Sequence, residues 1–305
     1  VASGRVVGIV ALCAAAAVAA IVGGTLLLSR HESTTLPGAV TAPRPGKPVL
    51  ELELGLRRDP KARALAQAQT LLNRDGKAAQ AAAIFKRDSS VEARLGLAFA
   101  EWTGPESLGA VKAIADGAPG SPAALLNLGW ADYQAGRNAD AASAWQQTAS
   151  QFPDSPYAVD ALDALSGTSV LPGLPPIVID PSSVPAGARS ALVAGWRAWN
   201  LKHVVTARRE LDRAAQLAPN SPVTLAAAAV AQFSPTQPKA SFPVLGPLTA
   251  RFPHESILPL HLGLLLLWSR EKAKANAQFR LAVAEQPDSV YAKQARQLVR
   301  ALGHK

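Results

Sequence analysis

The sequence predicts an all-α chain: an α-solenoid of paired helices in two lobes, preceded by one transmembrane helix. Three observations predict it. Prolines recur at one fixed interval, from Pro119 to Pro153, from Pro219 to Pro253, and from Pro253 to Pro287. Between them, small and aromatic residues return to the same slots, and apolar residues follow helical rather than strand spacing. Ahead of all this, Val6 to Leu28 runs without a charge or a proline.

The N-terminal segment, residues 1–30, is expected to be the anchor. At about 1.5 Å per residue, Val6 to Leu28 covers roughly 34 Å, enough to cross a hydrocarbon core of about 30 Å. A cleaved signal peptide is the rival, since Ala17-Val18-Ala19 offers a small-residue cleavage site. Against it, the apolar run continues from Ile21 to Leu28 past that site. Orientation is open on charge alone. Arg5 precedes the segment while Arg30, Arg44 and Lys47 follow it, which points the repeats toward the cytoplasm. An apolar segment so close to the N-terminus instead usually acts as an export anchor. The expectation is a single-pass membrane protein with an extracytoplasmic repeat domain. The alternatives are the cytoplasmic face, or secretion after cleavage. Cys13 is the one cysteine, so no intrachain disulfide can form.

Residues 31–58 contain Pro37, Pro43, Pro45 and Pro48 and read as a semi-rigid spacer. Val49 to Leu56 alternates and reads as a short strand or a helix lead-in. Asp59-Pro60 then opens the first helix as cap and first-turn proline.

Residues 59–166 form the first lobe. Its clearest stretch is Pro122 to Ser155. Leu125, Leu128, Gly129 and Tyr133 share one face of a first helix, Gly136 is the left-handed cap, and Ala141, Trp145 and Thr148 line a second helix that Pro153 stops. With Leu128-Gly129, Tyr133, Gly136, Ala141, Trp145 and Pro153 at its spacings, this stretch resembles a tetratricopeptide repeat, and the proline interval matches that family's period. In the same register lie Gly195, Trp199, Ala207, Leu211 and Ala214 before Pro219, and Leu262-Gly263, Leu267, Ala275, Phe279 and Ala282 before Pro287. Gly76, Ala81 and Phe85 suggest a repeat from about Ala62, and a shortened one follows with Gly96 and a Thr103-Gly104-Pro105 turn. The repeat ending at Pro253 is crowded by Pro235, Pro238, Pro243 and Pro247, so its second helix should be short. Gly263 is expected where two helices cross, beside Ala275.

Pro156 to Leu165 reads as a first helix without its partner. Residues 167–186 bring Pro172, Pro175, Pro176, Pro181 and Pro185, and read as a linker replacing one helix. Residues 187–305 form the second lobe, closed by a polar capping helix from Ser289 to Leu302.

No catalytic or cofactor chemistry is legible. His31, His203, His254, His261 and His304 lack metal-ligand spacing, and there is no P-loop, GxGxxG or GxSxG. No enzyme, cofactor or metal is expected.

The resemblance implies a scaffold that binds a protein or peptide on the face lined by the first helices. It places Leu126, Trp130 and Tyr133 there in one lobe, and Trp196, Trp199, Phe233, Leu264 and Trp268 in the other. Core packing is the competing reading for each. Asn127 is similar to the asparagine of carboxylate-clamp repeats, but the helix after it lacks the basic partner, so that role is not carried over.

Charge separates the lobes. Residues 57–166 carry 11 basic and 12 acidic residues, a net of −1, while residues 187–305 carry 16 and 6, a net of +10. Lys202, Arg208, Arg209 and Arg213 are expected on one helix, with Arg270, Lys272, Lys274 and Arg280 on another. This supports an alternative function, binding an anionic envelope polymer or membrane surface. Nucleic acid is not expected, because no aromatic-interleaved basic motif is present.

Overall fold

The computed structural model describes residues 42–55, 57–167 and 169–303. The expected membrane segment, residues 6–28, lies outside them. Among the described residues no helix is long and apolar enough to cross a membrane.

Fourteen α-helices follow one another among the described residues. They fall into two compact units, divided between Leu165 and Ser166. The first unit holds α1 (Pro60–Asn73), α2 (Ala78–Phe85), α3 (Val91–Ala100), α4 (Leu108–Asp116), α5 (Pro122–Gln134), α6 (Asn138–Gln151) and α7 (Pro156–Ser166). The second holds α8 (Ala186–Asn200), α9 (Val204–Leu217), α10 (Pro222–Val230), α11 (Phe242–Arg251), α12 (Ile257–Trp268), α13 (Lys272–Glu285) and α14 (Val290–Gly303). Each unit is therefore three helix pairs and a seventh, single helix.

Local chemistry sets the helix ends. Asp59, Ser90 and Ser121 accept hydrogen bonds from the amides of Ala62, Ala93 and Ala124, which would otherwise be orphaned in the first turns of α1, α3 and α5. Pro60 and Pro122 follow their caps at positions where no amide is needed. The turn inside a pair demands a left-handed residue. In the first unit Gly76 and Gly136 supply it, at φ +65° and +79°. In the second unit the matching positions are Lys202 and Arg270, both at φ +61°. These two basic residues thus sit in turns, ahead of α9 and α13 rather than on them.

Packing within a pair needs a small residue at the crossing. A side chain at Gly129 would overlap the Trp145 indole, and one at Gly263 would overlap the Phe279 ring. The neighbour at Gly263 is thus an aromatic ring, where the sequence pattern points to Ala275. Trp145 and Phe279 are buried in the cores of their units, as are Phe85 and Leu211 in the earlier pairs. Helix α11, with Pro247 inside it, spans 10 residues against 14 for α9 and α13.

The described residues of the two proline-rich stretches pack into the cores of their units. Among residues 42–55, Pro48, Leu50 and Leu52 are buried in the first unit's core. Within 169–185, Val170, Ile177, Val178, Ile179 and Val184 are buried in the second unit. Apart from one short turn at Pro181–Ser183, neither is helix or strand. Both run largely extended, and side chains of the helices take the place of a neighbouring strand.

Candidate peptide groove

In each unit the first helices of the pairs and the single last helix present polar tips to the extended stretch. In the first unit Asn127, on α5, pairs with both backbone groups of Glu51. It accepts from the amide at 2.9 Å and donates to the carbonyl at 2.8 Å. Asn73, at the end of α1, does the same to Leu50, at 3.1 and 2.7 Å. Gln69 adds a bond to the Leu50 carbonyl, and the Tyr157 hydroxyl on α7 accepts the Glu53 amide at 3.0 Å. Upstream, the Arg44 amide donates to the Gln134 carbonyl at 2.8 Å, and its guanidinium lies 3.4 Å from the Tyr133 ring centroid. Lys47 donates to the Trp102 carbonyl.

The second unit repeats the plan with different chemistry. The Leu171 amide donates to the Trp268 carbonyl at 2.8 Å, and the Asp180 amide to the Tyr291 hydroxyl at 3.1 Å. Three indoles donate to carbonyls: Trp268 to Gly173, Trp199 to Pro175, and Trp196 to Ile177. His261 occupies the position of Asn127. Its Nε2 accepts the Val178 amide at 2.9 Å, so Nδ1 carries the proton and donates to the Ile257 carbonyl at 2.9 Å. Burial pushes the His261 pKa down to about 4 and keeps the ring neutral. Tyr157 and Tyr291 are likewise pushed up by burial, so both hydroxyls stay protonated.

These matches reveal a duplication that the helix-pair register conceals. Pro45-Gly46-Lys47-Pro48 returns as Pro172-Gly173-Leu174-Pro175, with the glycines at φ +88° and +77°. Pro153-Asp154-Ser155, then Tyr157-Ala158, returns as Pro287-Asp288-Ser289, then Tyr291-Ala292. Sequence reasoning does not single out Asn73, Asn127, Tyr157, His261 or Tyr291 for this role. The repeated Pro-Gly-X-Pro and Pro-Asp-Ser-X-Tyr motifs are the signal that could have found them.

The sequence-derived candidates fall into two groups. Leu126, Trp199, Phe233, Leu264 and Trp268 are buried inside their units. Trp130, Tyr133 and Trp196 are half-buried. Trp130 packs edge-on against Trp145 with centroids 4.9 Å apart, and its indole N–H finds no hydrogen-bond partner among the described residues. Of the basic candidates, Arg208 is half-buried and donates to the Ala231 and Phe233 carbonyls, which holds the end of α10. Arg209, Arg213, Lys272, Lys274 and Arg280 are exposed, with Arg209 paired to Glu210 and Lys274 to Glu271. Lys202 is half-buried, and Arg270 donates to the Val170 carbonyl.

Two concavities accompany these sites, the larger of them at the Asp180–Tyr291 end of the second unit's segment. A cleft of about 880 Å³ in the second unit is lined by Asp180, Leu217, Val223, Glu255, Asp288 and Val290, among others. A pocket of about 190 Å³ in the first unit includes Lys112, Asp132, Arg137 and Asp140. Burial raises the Asp132 pKa to about 6, against the pull of Arg137 at 3.2 Å. No group of three or more metal-ligating side chains occurs among the described residues.

The tetratricopeptide repeat family matches residues 123–155. No curated protein matches the chain. Three solved structures are similar to it. The TPR2AB domain of yeast Sti1 in complex with pHSP90 is 11% identical, covering 80% of this chain and 98% of that one, with a TM-score of 0.32. A tetratricopeptide repeat protein from Parabacteroides merdae ATCC 43184 is 12% identical, covering 79% and 98%, with a TM-score of 0.31. The APC/C hetero-tetramer Cut9-Hcn1 is 17% identical, with a TM-score of 0.29. This chain is covered for 81% and spans only 44% of that chain. The helix pair α5–α6 thus matches the tetratricopeptide repeat family, and α8–α9 and α12–α13 repeat its glycine crossing at Gly195 and Gly263.

Proposed function

We propose that the chain is a membrane-anchored repeat scaffold that recruits a protein partner by holding an extended segment of it along the first-helix face. One observation carries this. In both units that face grips an extended backbone through side-chain hydrogen bonds to amides and carbonyls, which is how a peptide groove holds a ligand of variable sequence. The half-buried Trp130 ring lies on α5 beside Tyr133, on whose ring the Arg44 guanidinium rests, so it borders the groove at the upstream end of the segment. Cross-linking with the full chain should capture a partner whose recovery falls with Trp130→Ala. A partner recovered equally by that variant would remove the groove from the account.

Anchoring rests on the uncharged run from Val6 to Leu28, and the side of the membrane on the reporter signal. A reporter active only outside the cytoplasm, fused after Lys305, should be active in membrane fractions. Signal from an inside reporter would reverse the topology, and outside signal in the soluble fraction would mean cleavage.

A second reading is favoured by the exposed cations Arg209, Arg213, Lys272 and Arg280 on α9 and α13. Binding of an anionic polymer there should weaken steeply with salt. Salt-independent binding would refute it.

A further inference from the structure

We infer that residues 44–53 are an exchangeable occupant of the first unit's groove, and that the partner's docking segment carries the same chemistry. That segment is an extended peptide with a Pro-Gly-X-Pro turn, then two aliphatic side chains alternating with acidic ones. The inference rests on the scaffold reading and names the ligand and regulation of its site.

The ligand class follows from the two occupants already in place. Both turn through a left-handed glycine between prolines. Both then bury two aliphatic residues two apart, Leu50 and Leu52 in one and Ile177 and Ile179 in the other, with Glu51 between them in the first and buried Val178 in the second, and both end on a carboxylate, Glu53 or Asp180. The tyrosine hydroxyl accepts the amide of that acidic residue in each case. Apart from the Arg44 and Lys47 side chains, which donate to the Tyr133 and Trp102 carbonyls, the first unit's groove bonds to backbone, so a foreign segment of this pattern can make those bonds.

Exchange is assigned to the first unit because its occupant is held differently. Residues 170–180 enter α8 as residues 44–53 enter α1, but they are held through apolar cover, with the Trp196, Trp199 and Trp268 indoles donating to their carbonyls. They also bury Val170 and Val178. Residues 44–53 are held mainly by the carboxamides of Gln69, Asn73, Asn127 and Gln134, and Glu51, where the second unit has buried Val178, is only half-buried. A partner that must displace an occupant sees its affinity reduced by the fraction of open groove. The segment therefore sets a threshold for recruitment.

The test uses the full chain in detergent and a labelled synthetic peptide of residues 42–55. A chain carrying Leu50→Asp with Leu52→Asp should bind the peptide about tenfold more tightly than the unmodified chain. Adding Asn127→Ala should abolish that gain, and a peptide with both leucines changed to Asp should not bind. No gain in the unloaded chain overturns the inference. Peptide-reversible dimers of the unmodified chain would also overturn it, by assigning the groove to a second copy. Should the substituted chain fold poorly, native-state hydrogen exchange on the unmodified chain decides instead. The Glu51 and Glu53 amides should exchange about tenfold or more faster than those of Val178 and Asp180, and equal protection overturns the assignment. If the peptide fails while partner capture still depends on Trp130, the scaffold stands and this inference falls.

Discussion

The two units hold the same kind of segment with different side chains. In the first, carboxamides do the holding: Gln69, Asn73, Asn127 and Gln134 bond to residues 44–51. In the second, indoles and an imidazole take over, and the occupant buries more aliphatic surface. An amide can donate and accept on the same residue, so it grips polar backbone without needing apolar cover. An indole only donates, and its ring must be covered. One geometry thus supports a polar grip in one unit and a core-like grip in the other.

The largest expected break in this comparison is its pH dependence. His261 has a folded pKa of about 4 against 6.5, so between those values the unfolded chain binds a proton that the folded one does not. Stability of the second unit therefore falls as pH drops from about 6.5 to 4, by about 3 kcal/mol in all. Asp132 has the opposite sign: its folded pKa of about 6 lies above 3.8, so the folded first unit takes up a proton and is favoured as pH falls through that window. Region-resolved hydrogen exchange in urea should show the second unit weakening as the first holds. His261→Asn, which installs the first unit's residue, should remove most of the second unit's slope. An unchanged slope would mean that other groups drive it.

Next in size are the helix crossings. Gly263→Leu must push against Phe279, and Gly129→Leu against Trp145. Each should cost about 1–3 kcal/mol, read from urea midpoints, with protection lost mainly in the altered unit. A neutral Gly263→Leu would mean that α12 and α13 do not cross there.

The smallest effect concerns the turns. A side chain at Gly76 would meet nothing within contact distance, so Gly76→Lys tests backbone conformation alone. It should cost about 1 kcal/mol, and Lys202→Gly should return a similar amount. Equal stability of both variants and parent would show that the turns tolerate a left-handed lysine without strain.

The repeats are legible because each one states its own packing. Gly129 needs to be small under Trp145, Gly136 must be left-handed, and Pro153 must stop a helix, all within one period. Pro247 likewise foretells a short α11. The extended segments are not legible, for the converse reason. Alternation from Val49 to Leu54 says that one face is buried, but not by what, and proline-rich composition is common to spacers and to bound peptides. Backbone recognition also leaves little trace at the ligand. Only its far partners, Asn127, Tyr157 and their counterparts, carry a mark, and they lie 76 to 111 residues away.

That separation has a consequence for how the chain is made. Residues 44–53 leave the ribosome before any helix of their unit, yet the acceptor for the Glu53 amide is on α7, 104 residues later. Asp180 waits 111 residues for Tyr291. The helix pairs are local and can form as they emerge, whereas the segment closes a long loop and docks last. Until then each nascent unit carries an open, backbone-hungry groove beside an undocked aliphatic strand. Synthesis should therefore show two late intervals of chaperone demand, each ending when a terminal tyrosine helix is complete.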